Sequence, residues 1–163
     1  MTDRRKTISP ISSHDMRKRA RSRIPRFAFD YVDGAAGEEN AACRSRAAFT
    51  RTCLRPRILV NSESRADLSC RFLGRSWSVP FGIAPLGLPG LAWPGADLAF
   101  ARAAEAFGAP YVCPTPATQT LEALRAAAPK RSMFQLYVGA SPDITEDLIA
   151  RAEAAGFLSL IHI

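Results

Sequence analysis

The sequence has little of what builds a metal centre or a membrane span. It holds only two histidines, His14 and His162, and four cysteines, Cys43, Cys53, Cys70 and Cys113. No two cysteines form a CxxC pair, and none stands at ligand-like spacing from a histidine. The expectation is therefore reduced thiols in a cytosolic protein, with no metal site. No apolar run approaches the ~20 residues that cross a bilayer, and the first thirty residues contain no apolar signal core. Short-period repeats and low-complexity linkers are missing too. What is there is a chain of 163 residues, 47% hydrophobic, enough for one domain with a substantial core.

Acidic residues are scarce in the first half. Residues 1–75 carry 17 Lys+Arg against 8 Asp+Glu, a net of +9, whereas residues 76–163 carry 5 against 7, a net of −2. The densest cluster is Arg17, Lys18, Arg19, Arg21, Arg23 and Arg26. Such a patch suits nucleic acid or an anionic surface. No aromatic residues interleave with these arginines, so base stacking and bilayer anchoring lack their usual partners. A solvated helix face is the preferred reading, with no nucleic-acid partner.

Residues 79–138 organise the chain. Three short apolar runs, Pro80–Leu86, Ala109–Cys113 and Met133–Val138, alternate with two stretches of helical spacing. In the first stretch Leu98, Ala101, Arg102 and Glu105 keep a three-to-four-residue rhythm closed by Gly108. The second runs from a Thr118 or Thr120 cap through Leu121 and Leu124 to Pro129. Continuously apolar strands joined by amphipathic helices predict βαβ units in a parallel sheet. A third helix follows, capped by Asp143, with Ile144, Leu148 and Ala152 on one face and Gly156 at its end. A fourth apolar run, FLSLIHI, then begins.

Residues 1–75 read as a helical lead-in with a small β element, and residues 76–163 as the first part of a barrel. Ser12 or Ser13 caps a first helix near His14. Pro25 opens a second helix ended by Gly34, in which Phe27 and Tyr31 share a face and Tyr31 suits a core position. A third helix spans about Glu38 to Arg51. Leu54–Val60 is strand-like, and the segments LSCRFLG and SWSVPFG suggest a hairpin. The fold class is α/β: about three βα units of an incomplete (β/α)8 TIM barrel, which typically needs ~250 residues. The chain is expected to be truncated, with Met133, Leu136 and Val138 on an uncovered apolar face. Leu158–Ile163 is expected to be foreign to the native sequence.

Four segments, in order, carry a resemblance: FDYVDGAAGEE (Phe29–Glu39), LRPRIL (Leu54–Leu59), PFGIAPLGLPGLAWPGADLAFARAA (Pro80–Ala104) and FQLYV (Phe134–Val138). The chain resembles the N-terminal part of the FMN-dependent L-2-hydroxy-acid dehydrogenases and oxidases, the family of L-lactate dehydrogenase, mandelate dehydrogenase and glycolate oxidase. The resemblance implies FMN as cofactor and a small 2-hydroxy acid as substrate, oxidised to the 2-oxo acid. It leaves the electron acceptor open among oxygen, quinone and cytochrome. It also implies a homo-oligomer at full length and a cytoplasmic location, with peripheral association at the inner membrane left open.

Carried residue by residue, the resemblance assigns Pro85, Leu86 and Gly87 to backbone contacts with the flavin. Gln135 goes to its pyrimidine edge, although on the residues alone a structural hydrogen bond serves Gln135 equally well. Tyr137 and Tyr31 are implied to reach the substrate, Tyr137 stabilising charge at the reacting oxygen and Tyr31 orienting the carboxylate. One departure is the run CPTPATQ, where Pro114 takes the place of a flavin-contacting serine and Thr115 offers a substitute hydroxyl. The family's catalytic histidine, carboxylate-binding arginines and flavin-facing lysine come from later strands, so these 163 residues are expected to be inactive alone. Neither His14 nor His162 matches the base. The alternatives are a non-catalytic remnant or binding module with a basic N-terminal face, and another FMN barrel of the type 2 isopentenyl-diphosphate isomerase kind. The FDYVDGAAGEE lead-in argues against the latter.

Overall fold

The computed structural model describes residues 11–58 and 66–162. The chain divides into two compact units, Met1–Val60 and Asn61–Ile163.

In the first unit Ser12 and Asp15 form a reciprocal capping box that starts α1 (Ser13–Arg23). The Asp15 amide donates to Ser12 Oγ at 3.2 Å and the Ser12 amide donates back to the Asp15 carboxyl at 3.1 Å. No residue of α1 is buried, so its arginines form an exposed basic helix. After Pro25, α2 (Arg26–Asp33) ends at Gly34. Its buried face is Ala28 and Phe29, whereas Phe27 and Tyr31 are exposed, Tyr31 by 55%. The core position expected for Tyr31 is thus taken by Phe29. Arg17 grips Asp33 with two parallel bonds, its Nη2 at 2.7 Å, and joins α1 to α2. The Arg17 guanidinium holds the Asp33 carboxyl below its usual range.

The third helix, α3 (Asn40–Arg51), follows Glu39, which sits in the left-handed region at φ 59°. The strand expected over Leu54–Val60 does not form within the described residues. Leu54 is 93% exposed, and Pro56 between two arginines offers no ladder donor. Leu59 and Val60 lie outside the described residues.

The second unit opens with the expected hairpin, β1 (Cys70–Phe72) antiparallel to β2 (Arg75–Trp77). Its two turn residues, Leu73 and Gly74, both have positive φ (50° and 70°), as a type I′ turn requires. Trp77 is buried and donates its indole N–H to the Phe72 carbonyl at 3.0 Å. The Arg131 guanidinium lies 5.3 Å from the centroid of the Trp77 ring and donates to the Ser76 carbonyl.

Beyond the hairpin the predicted alternation holds: α4 (Ala96–Phe107), β3 (Tyr111–Cys113), α5 (Leu121–Ala127), β4 (Ser132–Leu136), α6 (Pro142–Ala155) and β5 (Leu160–His162). The strands form a parallel sheet in the order β3-β4-β5. The segment Pro80–Leu86, expected as a strand, contributes one parallel bridge, Ile83 to Tyr111. The Ile83 amide donates to the Pro110 carbonyl at 2.9 Å, and the Val112 amide to the Ile83 carbonyl at 3.0 Å. Pro80 and Pro85 supply no donors, which limits the ladder to that one residue. Gly82 lets the segment lie against β3, since a Cβ there would meet the Pro110 carbonyl. Among the described residues the strands close no barrel.

Helix ends follow local chemistry. Thr120 rather than Thr118 caps α5, its Oγ accepting from the Ala123 amide at 3.2 Å. Gly108 and Gly156 end α4 and α6 with φ of 68° and 80°. The N-cap of α6 is Ser141, not Asp143, which sits one residue inside Pro142.

The core lies between the sheet and its helices. Tyr111, Cys113, Phe134 and Leu136 point toward Ala101, Ala104, Leu121, Leu124, Ala128 and Ala152. Phe134 packs on Phe157 at 5.8 Å between ring centroids. Met133 and Leu136, expected to lie uncovered, are both buried, while Val138 past the strand end is exposed. Val112, Met133 and Ile161 line a groove of about 560 Å³ together with Ile83 and Pro85.

Candidate active site

Parallel strands send their carboxyl ends to one edge of the sheet, which is where open α/β sheets bind ligands. Three exits meet there: Leu86–Leu88 beyond the Ile83 bridge, Pro114–Thr118 beyond β3, and Tyr137 beyond β4. These loops are tied together by named bonds. The Leu88 amide donates to the Pro116 carbonyl at 2.7 Å. Gly90 lies so close to Thr118 that a side chain there would collide with it. The Thr118 hydroxyl donates to Asp97 in the first turn of α4, and Asp97 is 0% exposed. Its other oxygen, Oδ1, is buried with no hydrogen-bond partner among the described residues.

Thr115 makes the second tie. Its hydroxyl donates to the Gln135 carbonyl at 2.6 Å and accepts from the Tyr137 amide at 3.0 Å. The single O–H proton of Thr115 is therefore directed at the backbone of its own chain. Thr115, which the resemblance offers as a substitute hydroxyl for the missing serine, thus has its proton engaged within the chain. Gln135 is 2% exposed and its side-chain N–H₂ finds no partner among the described residues, whereas Tyr137, just past the strand, is 48% exposed. Pro85 lines the groove beside Ile83, Val112 and Met133, and Leu86 and Gly87 continue from it at the sheet edge.

Tyr111 and Cys113 are core groups. Burial pushes the Tyr111 phenol up and the Cys113 thiol up to about 12, so both stay neutral and neither is poised as a nucleophile. Tyr31 belongs to the first unit and its ring is exposed on α2. Among the described residues no three His, Cys, Asp or Glu side chains cluster to hold a metal, and no helix is long and apolar enough to cross a membrane.

The family described as FMN-dependent dehydrogenase matches residues 20–162. The chain belongs to that family. It is 37% identical over 150 residues to an L-lactate dehydrogenase of Caulobacter vibrioides, covering 92% of this chain and 39% of the relative. It is 36% identical over 153 residues to a glycolate oxidase of rice, Oryza sativa, covering 94% of this chain and 41% of the relative. Among solved structures, a soluble mutant of the membrane-associated (S)-mandelate dehydrogenase from Pseudomonas putida superposes with a TM-score of 0.82. That pair is 34% identical, and the match covers 91% of this chain and 42% of the other. A mandelate oxidase variant with (S)-mandelic acid matches with a TM-score of 0.83 at 30% identity, covering 94% of this chain and 45% of the other. The chain thus spans about two fifths of the length of the curated relatives it matches.

Within this chain the structure brings Gln135, Tyr137 and Thr115 into one bonded group at the sheet edge. Sequence reasoning missed the Asp97–Thr118 pair and the Leu88–Pro116 tie. An acidic residue in a first helical turn ordinarily signals a dipole partner at the surface, and nothing in its neighbours marks Asp97 as buried.

Proposed function

We propose that this chain supplies the first part of an FMN-binding (β/α)8 barrel in an enzyme that oxidises an L-2-hydroxy acid to the 2-oxo acid. The observation that carries the reading is the Gln135 side chain. It is almost wholly buried at a strand exit, with an N–H₂ group that has no partner among the described residues. An orphaned buried donor costs about 1–3 kcal/mol, and an amide placed against a flavin pyrimidine edge would be satisfied. The residues present therefore fit the cofactor.

In this reading FMN, when bound, would supply an acceptor for the hydride equivalent leaving C2 of the substrate. Gln135 would hold the pyrimidine edge, and the backbone of Pro85, Leu86 and Gly87 would contact the flavin, where no large polar side chain blocks close approach. The Tyr137 hydroxyl donates to the reacting oxygen as charge develops there. Tyr31 orients the substrate carboxylate through its hydroxyl. A phenol suits both tasks because it gives one directed hydrogen bond without adding a full charge. The general base and the arginines that hold the carboxylate come from later residues of a longer polypeptide, which would also set the electron acceptor and the homo-oligomeric state. The 163 residues alone turn over no substrate.

The test is to read the source locus past codon 157 and to express the whole open reading frame. The expected product holds FMN, and its yellow colour bleaches anaerobically on addition of L-lactate or L-mandelate. A protein that takes up no FMN, or a frame that stops near codon 163, refutes the reading.

A further inference from the structure

The β3–β4 ladder ends early. Its last pair is Cys113 with Phe134, yet β4 runs on to Leu136, and Gln135 and Tyr137 both lie beyond that pair. After Cys113 the chain reads Pro114-Thr115-Pro116; the Tyr111 amide donates toward β4 and the Val112 amide toward Ile83, so the next rung on the β4 side falls to Thr115, and there the hydroxyl meets Gln135. On its other side β4 remains paired with β5 as far as Leu136 and His162. On the β3 side the Gln135 carbonyl and the Tyr137 amide are both bonded by one side chain, that of Thr115.

We propose that Thr115 is a positioning residue whose hydroxyl replaces the missing rung of the ladder and sets the direction in which Gln135 and Tyr137 project. This rests on the FMN-dependent reading above. The geometry suits the task. The hydroxyl uses its donor on the Gln135 carbonyl at 2.6 Å and a lone pair on the Tyr137 amide at 3.0 Å, so it brackets Leu136 from both sides. Thr115 lies with Pro116 in a turn, and the prolines on either side restrict its backbone, so its side chain is presented from a stiff segment. The Pro116 carbonyl is itself fixed by the Leu88 amide at 2.7 Å. A proline pair that would otherwise fray the strand end becomes a rigid mount for one hydroxyl. The Gln135 carbonyl and the Tyr137 amide, beside the two functional side chains, take their β3-side bonds from that hydroxyl. Its influence on bound cofactor and substrate therefore passes through Gln135 and Tyr137, with Thr115 itself touching neither.

The experiment uses protein expressed from the whole reading frame, as wild type, Thr115→Val and Thr115→Ser. Valine keeps the shape and removes the hydroxyl; serine keeps the hydroxyl. Three quantities are read: hydrogen exchange at the Tyr137 amide, FMN affinity after reconstitution of the apoprotein, and the pH profile of flavin reduction by substrate. The expected result for Thr115→Val is fast exchange at Tyr137, FMN binding about tenfold weaker and a displaced pH profile. Thr115→Ser restores all three. Rapid exchange at Tyr137 in the wild type overturns the proposal, and this holds even if the valine variant fails to fold. So does a Thr115→Val protein that loses Tyr137 protection yet binds and reduces FMN as wild type does. A wild type whose Tyr137 amide is protected but which takes up no FMN overturns the functional reading instead. In that case the hydroxyl is a structural strand clip.

Discussion

Thr118→Val offers the sharpest test of how the sheet edge is held. Valine keeps the branched shape that Gly90 packs against, so the perturbation is confined to the hydroxyl. Asp97 is 0% exposed, and its Oδ1 already lacks a partner among the described residues. Removing the Thr118 donor leaves Oδ2 unsatisfied as well. Stranding one buried acceptor costs about 1–3 kcal/mol, more where the group carries charge. Full burial and the second orphaned oxygen place this case at the upper end, about 3 kcal/mol. Both tryptophans, Trp77 and Trp93, lie in the unit Asn61–Ile163, so urea unfolding followed by tryptophan emission reports on that unit alone. With a urea dependence of about 1.5 kcal/mol per M, the midpoint should fall by about 2 M. Asp97→Ala should cost less in the Thr118→Val background than in the wild type, with a coupling of about 1–2 kcal/mol. A midpoint shift below about 0.3 M, or no coupling, refutes the argument that this pair anchors the loop after β3.

Gln135→Leu should leave the apoprotein as stable as the wild type or raise its stability by about 1 kcal/mol, because a partnerless N–H₂ is removed. The same change should weaken FMN retention; a loss of apoprotein stability without loss of FMN would make Gln135 a structural residue. Cys43 and Cys53 are exposed and Cys113 is buried, with its thiol pushed up to about 12. Iodoacetamide at pH 8 should alkylate the first two rapidly and Cys113 only on unfolding, as counted by mass spectrometry. Because the folded state holds that thiol neutral, its contribution to stability is full below the ordinary value of 9.0 and fades as pH rises from there towards about 12. Arg17 lowers the Asp33 carboxyl, so the stability gained is full above the ordinary value of 3.8 and is lost as pH falls through the lowered range. Far-UV circular dichroism should show a helix loss in acid that is absent in Asp33→Asn and reduced by salt, since the pair is exposed.

Much of the fold was legible because its signals are short in range. Ser12, Pro25, Thr120 and the glycines at 34, 108 and 156 act on backbone within a turn of themselves and start or stop their helices, Ser12 and Thr120 each being one of the two caps the sequence offered. Continuously apolar runs over Ala109–Cys113 and Met133–Val138 marked β3 and β4, since strands covered on both faces carry no alternation. The same short range explains the errors. Pro80–Leu86 and, over its described residues, Leu54–Val60 have strand-like composition, but a ladder needs a neighbour and free donors, and prolines remove the donors. On α2 the spacing paired Phe27 with Tyr31, while the structure buried Ala28 and Phe29.

The sequence by itself determined the βα order, most helix ends, the presence of a hairpin and the placing of Gln135 and Tyr137 two residues apart near a strand end. Only the tertiary structure decided which groups became partners. Thr115 and Gln135 are twenty residues apart, and Asp97 and Thr118 twenty-one. No local preference relates such pairs, because a side-chain hydroxyl finds its acceptor only after two separate strands and a helix have packed.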